Sequence, residues 1–219
     1  MAAHSLDSVT KARRVGYFGP AGTFTEQALV TQPDLAALER VPLRTVPDVL
    51  DAVAAHEVDL GFVPIENSIE GTVNFTQDAL VFDHDLLIQR EVVLDIEHCL
   101  VVRPGTTLGD IKVVLSIPVA TAQCHAYLRQ SLRDVDVHAA NSTAEAAQLV
   151  SQDTGRSMAA IAPANAAGLY GLEVLERNIA DHEGNQTRFV LVGNQQFQPA
   201  RGTIKQVSWC FSELMNQAV

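Results

Sequence analysis

Asn185-Gln186-Thr187-Arg188-Phe189-Val190-Leu191-Val192 reads as a loop entering a buried strand, with a hydroxyl and a guanidinium side by side at its mouth. The loop before it, Asp181 to Gly184, is rich in Asp, His and Gly, and the run after Phe189 is apolar. A guanidinium in such a place is costly unless it meets an anion, and it can bind a carboxylate through two parallel hydrogen bonds. The hydroxyl beside it can then donate to whatever that carboxylate positions. The stretch reads as a site for a small organic acid, carried on the last strand of the fold.

Upstream of that strand, strand-like and helix-like segments alternate, which implies an α/β architecture with parallel pairing. Arg14 to Phe18, Val41 to Val46 and Asp59 to Pro64 read as strands. Between and after them the pattern predicts helices over Thr23 to Thr31, Pro47 to His56 and Gly71 to Phe82. Leu87 to Leu94 and His98 to Val102 read as extended crossover strands. Strands follow over Lys112 to Ser116, Val135 to Ala139, Met158 to Ala162 and Glu173 to Leu175. Helices are expected from Pro118 to Leu132, Ser142 to Gln152 and Asn165 to Tyr170, the last ending at Gly171. Two lobes joined by crossovers, with the final strand returning to the first lobe, is the most economical arrangement. It gives a lead-in over 1–13, one lobe over about 14–94 plus 183–193, a second over about 95–182, and a tail over 194–219. A ligand is then expected in the interlobe cleft.

The 219 residues suffice for a sizeable core, and an apolar content of 47% without low-complexity runs argues for a globular fold. No apolar run reaches the length of a membrane span, and no signal-peptide pattern follows the N-terminal basic residues. The expectation is therefore a cytoplasmic protein. Cys99, Cys124 and Cys210 form no close pair, so neither a disulfide framework nor a zinc site is suggested. The net charge of −11 disfavours nucleic acid and repels anionic ligands at long range, so an acid-binding site needs a strong local positive field.

Three segments share a strand end, small residues, then hydroxyls and amides at a helix start: Gly19 to Glu26, Pro64 to Val73, and Asn141 to Glu145. Backbone N–H groups at helix starts favour anions, although Asn141, Ser142 and Thr143 are better read as ordinary caps. Pro64 to Val73 carries more polar residues and glycine than one cap requires. Its Glu66 can orient Asn67, pair with Arg188 or keep a proton, and Glu70 is as well explained by capping. His98 lies in an apolar run, where a histidine is more often a satisfied core residue than a catalyst. No histidine pair has metal-ligand spacing, and there is no Gly-x-Ser-x-Gly elbow, P-loop or dinucleotide fingerprint.

Taken together, the segments resemble the catalytic region of prephenate dehydratases. The residues that carry the resemblance are Tyr17-Phe18-Gly19-Pro20-Ala21-Gly22-Thr23-Phe24-Thr25-Glu26, Val63-Pro64-Ile65-Glu66-Asn67-Ser68 with Gly71-Thr72-Val73, and Ile96-Glu97-His98-Cys99-Leu100. Pro118-Val119-Ala120, Gln123-Cys124, Asn141-Ser142-Thr143-Ala144-Glu145-Ala146-Ala147 and Asn185-Gln186-Thr187-Arg188-Phe189 continue it in the family's order, over roughly Val15 to Gly193.

The resemblance implies a two-lobed fold like type II periplasmic binding proteins and the conversion of prephenate to phenylpyruvate, water and carbon dioxide in phenylalanine biosynthesis. It implies no metal and no organic cofactor. Thr187 is the threonine the family treats as essential. Thr23, Glu66, Asn67, Ser68, Gly71, Thr72 and Arg188 are candidate substrate contacts. For Arg188 a structural salt bridge with Glu66 is nearly as good a reading as an anion clamp. Phe189 reads as core, and His98, Asn141, Ser142 and Thr143 as supporting residues. Family members commonly carry a C-terminal domain that binds phenylalanine, and the 219 − 193 = 26 residues after Gly193 are too few for one. Regulation through that module is therefore not expected, and the tail with Trp209 reads as a vestige or a packing segment. The family is usually dimeric or larger, which leaves a homodimer open. An arogenate dehydratase, a diverted prephenate decarboxylase and a non-catalytic acid-binding protein are the competing readings; the retained Thr187 weighs against the last two.

Overall fold

The computed structural model describes residues 12–194. The lead-in before Ala12 and the tail after Asn194, including Trp209 and Cys210, lie outside the described residues.

Lobe 1 is built on a sheet of β1 (Arg14–Phe18), β2 (Glu39–Leu43), β3 (Leu60–Asn67), the two-residue β4 (Gly71–Thr72), β5 (Leu87–Asp95) and β11 (Gln186–Gly193). The strand order is β2-β1-β3-β11-β5, with β4 attached to β3. Lobe 2 holds β6 (Cys99–Val102), β7 (Val113–Ser116), β8 (Asp136–Ala139), β9 (Met158–Ala162) and β10 (Glu173–Glu176), in the order β10-β6-β9-β7-β8. The expected return of the last strand is seen: β11 lies between β3 and β5, antiparallel to both. The expected parallel pairing holds for β1 with β2 and β3 and for β7 with β8 and β9. The crossover strands run against their neighbours, so both sheets are mixed.

Helices cover both faces of each sheet. In lobe 1, α1 (Phe24–Val30) and α2 (Pro33–Ala36) close a core of Tyr17, Leu29, Leu35, Phe62 and Phe189. On the other face, α3 (Val46–Ala54) and α4 (Asn74–Asp78) cover Val49, Leu50, Val63, Val190 and Val192. Lobe 2 repeats the layering with α5 (Pro118–Gln123) and α6 (His125–Ser131) on one face, and α7 (Thr143–Gln152) and α8 (Ala164–Tyr170) on the other. The architecture is a two-lobed α/β fold, each lobe a mixed sheet covered by helices.

Four element boundaries differ from expectation. Expected over Val41 to Val46, β2 ends at Leu43 because Thr45 caps α3. Thr45 Oγ1 accepts from Asp48 N at 3.1 Å and the Asp48 carboxylate accepts from Thr45 N at 3.1 Å, a reciprocal cap worth about 1 kcal/mol. Instead of stopping at Pro64, β3 runs to Asn67, and β4 folds back onto it. Gly71, at φ +84°, is left-handed, so the helix expected from there begins at Asn74, and it widens into a π-turn over Ala79–Asp83. The helix expected over Pro118 to Leu132 breaks at Cys124, where φ −115°, ψ 18° is not helical. The break turns the Ala126 and Tyr127 N–H groups onto the Asp181 carboxylate.

Candidate active site

Two crossovers join the lobes. β5 leads to β6 through Ile96-Glu97-His98, and the chain returns from β10 to β11 through 177–185. They are tied together by Ile96 N donating to Asn185 O (2.8 Å) and Ile179 N donating to His98 O (3.0 Å). Ser68, at the end of β3, adds a clasp: its hydroxyl donates to Gly184 O and accepts from Gln186 N.

Thr187 sits at this hinge within a chain of amides whose directions are fixed at both ends. At one end, Asn67 Oδ1 accepts from the backbone N–H groups of Ile69 and Glu70, both at 3.0 Å. A backbone N–H can only donate, so the Asn67 NH2 must face the other way. It donates to Thr187 Oγ1 (2.8 Å), to Asn185 Oδ1 (2.8 Å) and, at 3.2 Å, to Gln186 O. Asn185 therefore turns its own NH2 to Gln123 Oε1 at 3.0 Å. At the far end, Gln123 Nε2 donates across the cleft to Glu70 Oε1 at 3.1 Å, and a carboxylate can only accept. Because Thr187 Oγ1 is an acceptor in this chain, its single hydrogen is left for a ligand.

His98 closes onto the same chain. Its Nε2 lies 2.8 Å from Gln123 Oε1, an oxygen, so Nε2 carries the hydrogen. Burial holds the imidazole pKa below its ordinary value, which favours the neutral ring. Nδ1 is buried with no partner among the described residues. His98 is buried, as expected of a core histidine, with one nitrogen serving the amide chain and the other without a partner among the described residues.

The lobes also touch away from the hinge. Tyr170 Oη, at the end of α8, donates to Ala21 O in lobe 1 at 2.9 Å. Gly22 lies at that contact with φ +87°; a Cβ there would stand 3.2 Å from Tyr170 and 3.3 Å from Leu169. Beside this contact a cavity of about 230 Å³ opens between Phe18, Gly19, Pro20 and Arg44 of lobe 1 and Asn141, Ser142, Glu145 and Gln148 of lobe 2.

Other residues singled out from the sequence fall in several places. Side chains alternate along β11: Phe189 and Leu191 join the α1-side core, Val190 and Val192 the opposite one. Thr187 pairs with Leu94, which packs on the α1 side, whereas Arg188 pairs with the exposed Val93 on the other face. There Arg188 meets Glu66 at 3.4 Å and Glu91 at 3.3 Å. Glu66 is thus drawn away from Asn67. Thr23 caps α1, while Gly71 and Thr72 form exposed β4. Ser142 caps α7 by accepting from Glu145 N at 2.9 Å, and the Glu145 carboxylate holds Asn141. Thr143 is buried in the first turn of α7, and Phe189 stacks on Phe62 with ring centroids 5.5 Å apart. Gln123 and Asn185 were not chosen from the sequence, although both stand in the segments that carried the resemblance. Among the described residues no three His, Cys, Asp or Glu side chains are grouped to hold a metal ion.

Comparison with known proteins gives the same relation from several sides. A family model described as prephenate dehydratase matches residues 15–197. The prephenate dehydratase of Bacillus subtilis (strain 168) is 40% identical over 181 residues, covering 82% of this chain and 63% of the relative. The crystal structure of a prephenate dehydratase from Arthrobacter aurescens in complex with L-Phe superposes with a TM-score of 0.79 at 39% identity, covering 86% of this chain and 62% of that one. A solved quorum-quenching acylase, GqqA, gives a TM-score of 0.73 at 30% identity, covering 86% of this chain and 65% of that one. The chain spans 60–63% of the length of the first curated relatives it matches.

Proposed function

The chain belongs to the prephenate dehydratase family, and from that premise we propose that it converts prephenate to phenylpyruvate, water and carbon dioxide, with Thr187 serving the departing hydroxyl. In this reaction the ring carboxylate leaves as carbon dioxide and its bonding pair enters the ring. The hydroxyl on the opposite ring carbon departs with one added proton as water. Aromatisation supplies the driving force, so the protein's task is to hold the acid and to stabilise charge on the leaving oxygen.

The observation that supports this assignment is the direction of the amide chain. Asn67 donates to Thr187 Oγ1 at 2.8 Å, so the threonine hydrogen is available to the substrate. An alcohol is too weak an acid to give up a proton unaided. Thr187 therefore acts as a fixed hydrogen-bond donor to the developing hydroxide, and the added proton comes from solvent. Arg188, already held between two carboxylates, keeps the strand in place. Arg44, with no carboxylate at salt-bridge distance among the described residues, is the cation offered to the substrate in the interlobe cavity. The catalytic unit on this reading is 14–193.

The test is formation of phenylpyruvate, followed by ultraviolet absorbance, from prephenate with the wild-type protein and with Thr187→Ala, and formation of phenylalanine, followed by chromatography, from arogenate as a second substrate. Prephenate turnover lost in the variant supports the proposal, and turnover of arogenate alone moves it to the aminated substrate. Binding without turnover would leave an acid-binding protein instead. The same reading carries a cytoplasmic homodimer: its substrate is a biosynthetic intermediate, and Phe75, Val81 and Phe82 expose apolar surface within one helical segment. No helix among the described residues is long and apolar enough to cross a membrane. Sedimentation at micromolar concentration tests the dimer.

A further inference from the structure

We propose that His98 is a positioning residue for this reaction: its Nε2–H locks the amide of Gln123, and through Asn185 and Asn67 it sets the hydroxyl of Thr187. The inference rests on the dehydratase reading and goes beyond it, to a residue that touches no substrate.

The chain of amides is pinned at its Thr187 end by two backbone donors and at its Gln123 end by the Glu70 carboxylate. The two pins are not equal. Those on Asn67 belong to its own turn, whereas Glu70 reaches Gln123 from the other lobe. When the lobes part, Gln123 loses Glu70, and Asn185 alone cannot hold it, because both amides can rotate together. His98 supplies the missing constraint from the crossover. It directs a second N–H at Gln123 Oε1, at 2.8 Å, beside that of Asn185 at 3.0 Å. A flipped Gln123 would set its NH2 against both donors.

Nor does the ring have another useful state. Among the described residues Nδ1 is buried without a partner, so the Nδ1–H tautomer would strand a buried donor and turn the Nε2 lone pair onto the Gln123 oxygen. Phe24 of α1 fixes the ring plane, edge to face, with centroids 5.5 Å apart and planes at 82°. With the residue only 4% exposed, it cannot turn to seek water. His98 is thus a rigid donor anchored by lobe 1 and the crossover, aimed at the residue that lobe 2 brings to the site.

Two measurements separate this proposal from the reading it rests on. The first needs no substrate: ¹⁵N spectra of the histidine-labelled wild-type protein at neutral pH. A neutral ring for His98, protonated at Nε2 and bare at Nδ1, is expected; a charged ring or the opposite tautomer overturns the proposal. The second is kinetic, and starts from wild-type turnover of prephenate, whose absence would sink the dehydratase reading while the spectral test stands. His98→Leu is expected to lower kcat about tenfold with KM changed less than about threefold, the effect of losing one aligned hydrogen bond. His98→Gln, whose amide N–H reaches the place of Nε2, recovers most of that loss. In a Gln123→Leu background, His98→Leu costs nothing further. Equal losses in the Leu and Gln variants, a change confined to KM, or losses that multiply with Gln123→Leu would each overturn it. Should His98→Leu fail to fold, His98→Gln against wild type and the ¹⁵N spectra still decide.

Discussion

Asn67→Asp is the sharpest perturbation of the proposed site, because it turns a donor into an acceptor where three acceptors converge. Thr187 Oγ1 and Asn185 Oδ1 lie 2.8 Å from the Asn67 NH2, and Gln186 O lies 3.2 Å away. Of the three, only the threonine hydroxyl can reverse and donate without disturbing the rest of the chain, since Gln186 O is a carbonyl and the Asn185 NH2 is engaged by Gln123 Oε1. It would then give its one hydrogen to the new carboxylate and have none for the substrate. A preorganised donor to a developing negative oxygen is worth about 3–4 kcal/mol, so kcat should fall about 10²–10³-fold. Thr187→Ala should match this, and the double variant should be no slower than either single one. Two acceptors would also face the carboxylate without a hydrogen, at a cost of about 2–4 kcal/mol in stability, or several degrees in Tm for a domain of this size. Crowding by acceptors favours the protonated form of the new carboxyl, which is a donor again, so the deficit relative to wild type should shrink as pH falls. The assay is phenylpyruvate formation across pH, paired with thermal unfolding. A variant that keeps kcat within about threefold of wild type at neutral pH would refute the argument that Asn67 directs the Thr187 hydrogen.

Arg44→Ala is expected to raise KM for prephenate about three- to tenfold with kcat little changed, since an exposed cation contributes about 1 kcal/mol to holding a carboxylate. Arg188→Ala should leave KM within about twofold and lower stability by no more than about 1 kcal/mol, because both of its ion pairs are solvent-exposed. Gly22→Ala puts a Cβ into Tyr170 and Leu169 at φ +87°, and should cost about 1–2 kcal/mol and open the cleft. Loss of stability without a change in small-angle scattering would separate strain from opening. Arg90, by bonding Asp34 at 2.6 and 3.0 Å, lowers the Asp34 pKa from its ordinary 3.8. A depressed carboxylate stabilises above its unfolded pKa and loses that contribution as pH falls through its folded one. Asp34→Asn should therefore be about 1–2 kcal/mol less stable than wild type at neutral pH, with the gap closing below about pH 4 in denaturant titrations.

Strand positions were legible wherever apolar runs were bounded by polar turns, and Thr187 was legible as the hydroxyl on the returning strand. The errors fell where a local polar contact outbid the pattern. Thr45 has the β-branched profile of a strand residue, yet its hydroxyl is more valuable capping α3, so β2 stops short. The break at Cys124 has no Pro or Gly to announce it; it is held by Asp181, which arrives from 55 residues away. Arg188 shows the limit of adjacency as an argument. Side by side in sequence, a hydroxyl and a guanidinium on a strand point to opposite faces, so Thr187 and Arg188 cannot clasp the same group. The residues that do converge on Thr187 come from elsewhere: Asn67 from 120 positions away, and Gln123 through Asn185 across 62. Asn and Gln carry a donor and an acceptor on one side chain, and composition cannot say which end faces which neighbour. Here the choice is made by groups with no freedom, the backbone N–H of Ile69 and Glu70 and the Glu70 carboxylate. Glu70 thus acts twice, its backbone fixing Asn67 and its side chain fixing Gln123, so a residue that reads as a helix cap becomes the one that orients both ends of the chain to Thr187.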